Sequence, residues 1–455
     1  MTSKRFLDWR LVAIGVLALV SLAGANPALA QNQKSDWNRE HLRPMGSGLA
    51  TRGGDVENVP AAEEEYKLQA PVSPVPADRA SVTAVRFLSW KSYTRVMLDL
   101  SQDAKYEIRQ LKEDSAKGLP ARVYVDIQGA RMALASKDPI PVEDGLLRQV
   151  RIGQYNQDVV RVVLDITNLG AHNAFVLPDP HRLVIDIYGQ KAVQSVALKE
   201  PPAKADSPQR KAPARLAKPA PAVPAGNGLR KIVLDPGHGG KDPGAVGSGG
   251  IAEKDIVLSI AKRLAAKLRK EMGVQVVLTR SDDRFVALED RTAMANAEDA
   301  DLFVSLHMNA SPNSEARGIE TYYLDNTTDE AAIRLAAREN STSRKNVSDL
   351  QFILSDMMQN MKLEDSISLA HRLQGSLVGG MSKVIGEVKD LGVKTALFYV
   401  LVGARMPSVL VEMFFITNRS EGRAMSQGSY QDAMVEALFD GIQKYGQSTI
   451  MARTL

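Results

Sequence analysis

The chain of 455 residues contains no cysteine. A thiol nucleophile, thiolate metal ligands and disulfide staples are therefore excluded, and any catalysis must use other groups. Charge of one sign is also scarce. Lysine and arginine exceed aspartate and glutamate by only four, too small a surplus at this length to mark a nucleic-acid partner. Long apolar runs are missing too. The run from Leu11 to Ala25 has 15 residues, short of the roughly 20 that span a bilayer. It follows Lys4, Arg5 and Arg10 and precedes Ala28-Leu29-Ala30. This pattern predicts a secretory signal, residues 1–30, cleaved near Ala30, and a mature protein with no stable membrane insertion. Lys4-Arg5-Phe6-Leu7 only partly matches a twin-arginine signal, which leaves the export route open. No H-E-x-x-H helix occurs, so the common metalloprotease pattern is excluded.

What the sequence does contain divides it into segments. Residues 31–78 are polar, punctuated by proline and without apolar periodicity, and read as a disordered lead-in. Residues 79–190 alternate in short strands and hold an internal repeat. Arg95-Val96-Met97-Leu98-Asp99-Leu100 returns as Arg161-Val162-Val163-Leu164-Asp165-Ile166, and Arg122-Val123-Tyr124-Val125-Asp126-Ile127 as Arg182-Leu183-Val184-Ile185-Asp186-Ile187. Two sheets with one apolar face each predict a small all-β sandwich, a binding module without a catalytic constellation. Residues 191–228, rich in Pro, Ala and Lys, read as an extended linker. From 229 to 448 strands alternate with longer helical patterns, which predicts an α/β domain with a mostly parallel or mixed twisted sheet flanked by helices.

The candidate chemistry lies in that α/β domain. Asp235-Pro236-Gly237-His238-Gly239-Gly240 ends a buried strand and presents a histidine in a glycine-rich loop. Open α/β sheets place ligands at such strand ends. His307 follows a second apolar strand, Glu253 precedes a helix, and Glu412 ends the strand Val409-Leu410-Val411. Two imidazoles and one carboxylate, His238, Glu253 and His307, form a three-ligand zinc set that leaves a position for water. Glu412, buried at a strand end where its pKa should rise, is the candidate acid/base. His41 and His371 have no such setting, and His172 and His181 read as surface histidines.

In these residues the chain resembles the zinc-dependent N-acetylmuramoyl-L-alanine amidases of the bacterial cell wall. The likeness rests on Val233 to Gly240, Glu253-Lys254-Asp255, Leu278-Thr279-Arg280, Ser305 to Ala310, Gly318 to Leu324 and Pro407 to Glu412. It implies that His238, Glu253 and His307 bind Zn2+, that Glu412 is catalytic, and that the bond cut joins N-acetylmuramic acid to L-alanine in peptidoglycan. The module at 79–190 likewise resembles the AMIN domain that directs such enzymes to the wall. The periplasm is the expected location and daughter-cell separation the expected setting. Met413-Phe414-Phe415 departs from the small residues common after the catalytic glutamate, which predicts a bulkier pocket wall.

Residues 325–365 interrupt the α/β domain. Ala331, Leu335 and Ala336 with Arg334 and Arg338 predict one helix, and Leu350, Ile353, Leu354, Met357, Met358 and Met361 a second. The resemblance is to division-associated amidases, in which an inserted helix covers the site until an activator protein displaces it. The insert would then be a lid with an acidic residue such as Glu339 capping the zinc, though which acid does so is left open; the alternative is an extra packing helix. Two other functions compete with the amidase: a different zinc wall peptidase, and a catalytically inactive wall-binding scaffold.

Overall fold

The structure is a computed structural model that describes residues 42–44, 79–190 apart from 115 and 117, 228–347 and 362–454. The export signal, the linker and the second predicted helix of the insert lie outside the described residues. Among the described residues no helix is long and apolar enough to cross a membrane.

The N-terminal domain is the expected sandwich. One sheet contains β1 (Leu42–Pro44), β2 (Ala80–Trp90), β3 (Tyr93–Leu100), β6 (Ala130–Met132), β10 (Ala171–Leu177) and β11 (Arg182–Tyr188). The other contains β4 (Tyr106–Leu111), β5 (Ala121–Gln128), β7 (Ile140–Pro141), β8 (Leu147–Asn156) and β9 (Val159–Ile166). β1 falls in the stretch read as a disordered lead-in. It pairs antiparallel with β2 at the sheet edge, where free backbone groups accept a strand whatever its side chains. Alternate residues of the repeated strands, Val96 and Leu98, Val123 and Val125, Val162 and Leu164, and Leu183 and Ile185, fill one core between the sheets. Each such side chain contributes about 1.5–3 kcal/mol by leaving water.

The repeat has a further meaning in the register. β3 of the first half pairs with β11 of the second, and β5 with β9. Each repeat unit starts on arginine and carries aspartate four residues later. In antiparallel register this sets Arg95 opposite Asp186, Asp99 opposite Arg182, Arg122 opposite Asp165 and Asp126 opposite Arg161. Opposite charges facing across a ladder stabilise the pairing and fix its register.

The second domain contains β12 (Lys231–Pro236), α1 (Glu253–Met272), β13 (Gln275–Leu278), α2 (Leu288–Ala297), β14 (Leu302–Asn309), β15 (Ile319–Leu324), α3 (Glu330–Glu339), α4 (Leu363–Ile385), β16 (Asp390–Ala396), β17 (Ser408–Phe415), α5 (Arg419–Met425) and α6 (Gly428–Thr454). α6 runs past residue 448, the end expected from sequence. The sheet order is β13-β12-β14-β17-β15-β16. β13, β12, β14 and β17 are mutually parallel, and β15 turns the sheet mixed by running antiparallel to β17. Both faces are covered, as parallel strands require. Ile232, Leu234, Val304 and Val409 meet the apolar stripe of α1 at Ile256, Ile260, Leu264 and Leu268. Val233, Phe303 and Leu410 point to the other face, where α2, α3 and a short 3-10 turn at Tyr399–Leu401 join a second core.

The sandwich docks on that second face. Leu88, Tyr93, Met97 and Phe175 share its core with Ala293, Tyr322 and Leu401. A Cβ at Gly403 would stand 3.0 Å from the Phe175 ring, so this contact needs glycine. Arg95 is fully buried, gives Nε and Nη2 to Asp186 at 2.7 Å each, and donates Nη1 to the Glu289 carbonyl at 2.6 Å. Arg86 donates to Glu289 Oε1 at 2.6 Å, and Arg182 pairs with the same carboxylate.

Candidate active site

Four sheet elements and two helix ends converge at the carboxyl end of the parallel strands. Asp235, the last residue but one of β12, accepts from Thr279 Oγ1 at 2.5 Å, Ser305 Oγ at 2.7 Å and Arg291 Nη1 at 2.8 Å. These bonds lock the ends of β12 and β14 together with α2. Beyond Asp235 the loop is gripped by two buried arginines. Arg291 donates to the carbonyls of Pro236 and His238, and Arg280 to those of Pro236 and Gly237. His238 is thereby held at φ 59, a left-handed conformation that side-chain-bearing residues adopt only where surroundings enforce it. Gly237 passes so close to the His307 ring that any Cβ would strike it.

The structure brings the predicted ligands together. Glu253 opens α1, where a negative side chain suits the helix dipole. Its Oε1 lies 3.2 Å from His238 Nε2 and 3.1 Å from His307 Nδ1, accepts from Met308 N at 2.9 Å, and its Oε2 accepts from Ala245 N at 2.8 Å. Glu339, the last residue of α3, sends Oε2 to 3.2 Å from the same two nitrogens. Ligands about 2.0–2.1 Å from a tetrahedral cation stand roughly 3.3 Å apart, so this spacing fits one ion. Among the described residues, His238, His307 and Glu339 form the group whose ligand atoms all lie within 4.8 Å of one another. Among the described residues neither His238 Nε2 nor Glu339 Oε2 has a hydrogen-bond partner, although both atoms are buried.

Electrostatics points the same way. Burial alone would lower both imidazole pKa values, but Glu253 and Glu339 outweigh it and raise His238 to about 12 and His307 to about 9. Burial would raise Glu253, yet the histidines hold it down at about 2, and Glu339 is likewise held well below the usual range. Two carboxylates facing two imidazoles demand two positive charges, which two protons or one divalent cation can supply.

Glu412 stands beside His307 on the neighbouring strand, β17 against β14. It is fully buried, and neither carboxyl oxygen has a hydrogen-bond partner among the described residues. Burial first, and then the charge of Glu339, push its pKa well above the carboxylate range. The register shifts just past this pair, with Phe414 at φ 73. That bulge corrects the expectation of a bulkier pocket wall for two of the three residues that follow. Met413 and Phe414 are buried in the core under α1 and α4 rather than set into the site.

Sequence reasoning missed Asp242, whose Oδ2 lies 2.8 Å from His238 Nδ1. An acid four residues after a glycine-flanked histidine was the available signal. It also missed the structural weight of Arg291. Of the remaining histidines, His371 is exposed on α4, His172 and His181 lie in the sandwich away from the cluster, and His41 lies outside the described residues.

Comparison with known proteins places this architecture. The family model described as N-acetylmuramoyl-L-alanine amidase matches residues 232–444, and the AMIN domain model matches residues 84–187. The N-acetylmuramoyl-L-alanine amidase AmiC of Escherichia coli is 32% identical over 80% of this chain and 89% of its own length. AmiC of Neisseria meningitidis is 32% identical over 82% of this chain and 91% of its own. A solved N-acetylmuramoyl-L-alanine amidase from Clostridium difficile is 33% identical, covering 48% of this chain and 97% of that one with a TM-score of 0.38. A β-sandwich fused to an α/β domain with imidazoles and carboxylates gathered at its strand ends is the arrangement of a cell-wall hydrolase. The chain belongs to the N-acetylmuramoyl-L-alanine amidases, in the form that carries an AMIN domain ahead of the catalytic one.

Proposed function

We propose that this chain hydrolyses the amide between N-acetylmuramic acid and L-alanine of peptidoglycan, with zinc held by His238, Glu253 and His307 and with Glu412 as the proton carrier. The observation that carries the reading is that Glu253 Oε1 stands 3.2 Å from His238 Nε2 and 3.1 Å from His307 Nδ1, beside the buried Glu412 carboxyl, which has no hydrogen-bond partner among the described residues. Zinc at these residues would polarise the scissile carbonyl and lower the pKa of water. Asp242 fixes the His238 ring through Nδ1, and Met308 N and Ala245 N fix both oxygens of Glu253. Glu412 takes the proton of the attacking water on a carboxyl oxygen and passes it to the leaving nitrogen. Burial first, and then the charge of Glu339, raise its pKa, so it holds a proton more firmly than an exposed carboxylate does.

The same reading makes α3 a lid. Its N-cap Asp329 accepts from Ala331 N and Ala332 N, and Ala332, Leu335 and Ala336 bury its apolar side. Arg338 braces the far end by donating to the Ala310 carbonyl at 2.6 Å and to Glu339 Oε1 at 2.9 Å. Glu339 then occupies the position that water and substrate need, and the resting enzyme is inhibited until an activator protein draws α3 away. Secretion to the periplasm and a role in daughter-cell separation complete the proposal. Dye release from labelled peptidoglycan tests it: release by a lid-deleted form, lost with chelator and with Glu412→Ala, supports it. Release of cut peptides instead of intact ones would favour a wall peptidase, and no release from any zinc-loaded form would favour a scaffold.

A further inference from the structure

We propose that the β-sandwich clasps the inhibitory helix, so that the module docked on the catalytic domain also sets how readily Glu339 leaves the site. The inference rests on the lid reading above and adds a partner for the lid within the same chain.

The contact is made by the turn between β10 and β11. Asp179 reaches across the domain boundary, and its Oδ2 accepts from Thr342 Oγ1 at 3.0 Å and from Asn346 Nδ2 at 3.1 Å. Asn346 Nδ2 also lies 3.1 Å from Thr342 Oγ1, so three side chains close on one another. Thr342 stands three residues beyond Glu339, in the chain that continues α3. Between them Asn340 is tied to the catalytic domain. Its Nδ2 donates to the Leu397 carbonyl at 2.7 Å, and its Oδ1 accepts from Tyr399 N at 2.8 Å.

Apolar packing follows the same line. Phe175 and Leu177 at the end of β10 belong to one core with Leu335, Ala336, Val347 and Tyr399. The chain leaving α3 is therefore held at both ends of a short stretch, by its own domain at Asn340 and by the sandwich at Thr342 and Asn346. Drawing α3 away from the two histidines carries Thr342, three residues beyond Glu339, away from Asp179. Asp179 is exposed and its partners are half-buried, so water competes for these bonds. That makes the clasp a latch of small strength, suited to release when something engages the sandwich.

The test uses the full chain. Asp179 has φ 52, so Asp179→Gly removes the carboxylate while keeping a residue that tolerates that conformation. Thr342→Val with Asn346→Ala removes the same contact from the lid side, should the first variant disturb the sandwich. Basal dye release from labelled peptidoglycan and amide hydrogen exchange across 330–347 are measured, with Glu339→Ala as reference. Both variants are expected to speed exchange in that segment and to raise release about three- to tenfold, the effect of one or two lost solvent-exposed hydrogen bonds. Unchanged exchange, or faster exchange without more release while Glu339→Ala releases more, overturns the clasp. If Glu339→Ala itself releases no more than the unaltered chain, the lid reading fails separately. Exchange alone then decides whether the sandwich restrains α3.

Discussion

Glu320 and Glu412 are cross-strand partners on β15 and β17, and the protein satisfies one and starves the other. Glu320 accepts from Asn309 Nδ2 at 2.5 Å and from Lys394 Nζ at 2.6 Å. Glu412 has no partner for either oxygen among the described residues. A carboxylate that accepts from an amide on one oxygen and from a lysine on the other is held as the anion. The neighbour without a partner, Glu412, is the one proposed to carry the proton.

The two carboxyls should therefore fail differently. Glu412→Gln is expected to lower hydrolysis by about 10²–10⁴-fold with zinc content and Tm unchanged, because no hydrogen bond is lost. Glu320→Gln leaves Lys394 short of its counter-charge and is expected to cost about 1–3 kcal/mol of stability, with a smaller loss of kcat. Assays of kcat, bound zinc and thermal unfolding on the two variants check this. Equal loss of activity from both would remove the distinction.

Asp242 touches His238 and not the proposed metal position, since it bonds the far ring nitrogen. Such partners of a metal-binding imidazole set its tautomer and ring orientation. Asp242→Ala is expected to weaken zinc binding, or activity at limiting zinc, by about 10–100-fold, and excess zinc should restore much of the rate. Competition with a chelator gives the affinity. A variant that binds zinc as tightly as the unaltered chain would assign Asp242 to the Gly244 turn, whose N–H it also accepts.

Glu339 should act on affinity and rate in opposite directions. Its Oε2 stands as near both imidazoles as Glu253 does, so Glu339→Gln removes one of two negative charges around a cation. Zinc release to a chelator is expected to quicken, while basal hydrolysis rises because the place for water is freed. Loss of zinc together with loss of activity would instead make Glu339 a permanent ligand.

Much of this site was legible because its residues sit where sequence periodicity breaks. His238 stands just past the end of β12 and Glu253 at the start of α1, while His307 lies near the carboxyl end of β14, and a glycine-rich turn after an apolar strand announces the carboxyl end of that strand. The helix α3 was legible in the spacing of Ala331, Leu335 and Ala336, but Glu339 is only one example of an acid that the resemblance would place over the site. Arg291 gave no such signal. It lies in a helix of mixed polarity, and only the tertiary fold turns its guanidinium onto Asp235 and the carbonyls of the loop. The sandwich repeat was visible, but its strand exchange was not, because a repeated strand says what it can pair with and not which copy it chooses. Nor did the sequence reveal that Arg95 and Arg182 would serve the domain interface. Their counterparts in the repeat, Arg161 and Arg122, lie in the other sheet, where Arg161 pairs with Asp126 and stacks on Tyr155.

The domain interface carries its own pH dependence. Asp290 lies beside Glu289 on α2, buried, with Arg86 Nη1 3.9 Å away and with Oδ1 lacking a hydrogen bond among the described residues. Burial first, and then the charge of Glu289, raise its pKa to about 7 despite Arg86, Arg95 and Arg182 nearby. Glu289 takes the arginines and is held at about 2. A carboxyl whose folded pKa is raised binds a proton more tightly folded than unfolded. Its stabilising contribution is complete below the ordinary aspartate value and is lost as pH rises towards about 7. Glu289 works in a separate, acid window, where stability falls as pH drops from the ordinary glutamate value towards about 2. The full chain should therefore lose on the order of a few kcal/mol between pH 5 and pH 8 from Asp290. Asp290→Asn, which keeps the shape and cannot ionise, should lose less over the same range. Thermal unfolding of both chains at pH 5, 6, 7 and 8 measures the difference. Parallel Tm curves would mean that Asp290 is already ionised at pH 5 and that the three arginines serve both acids.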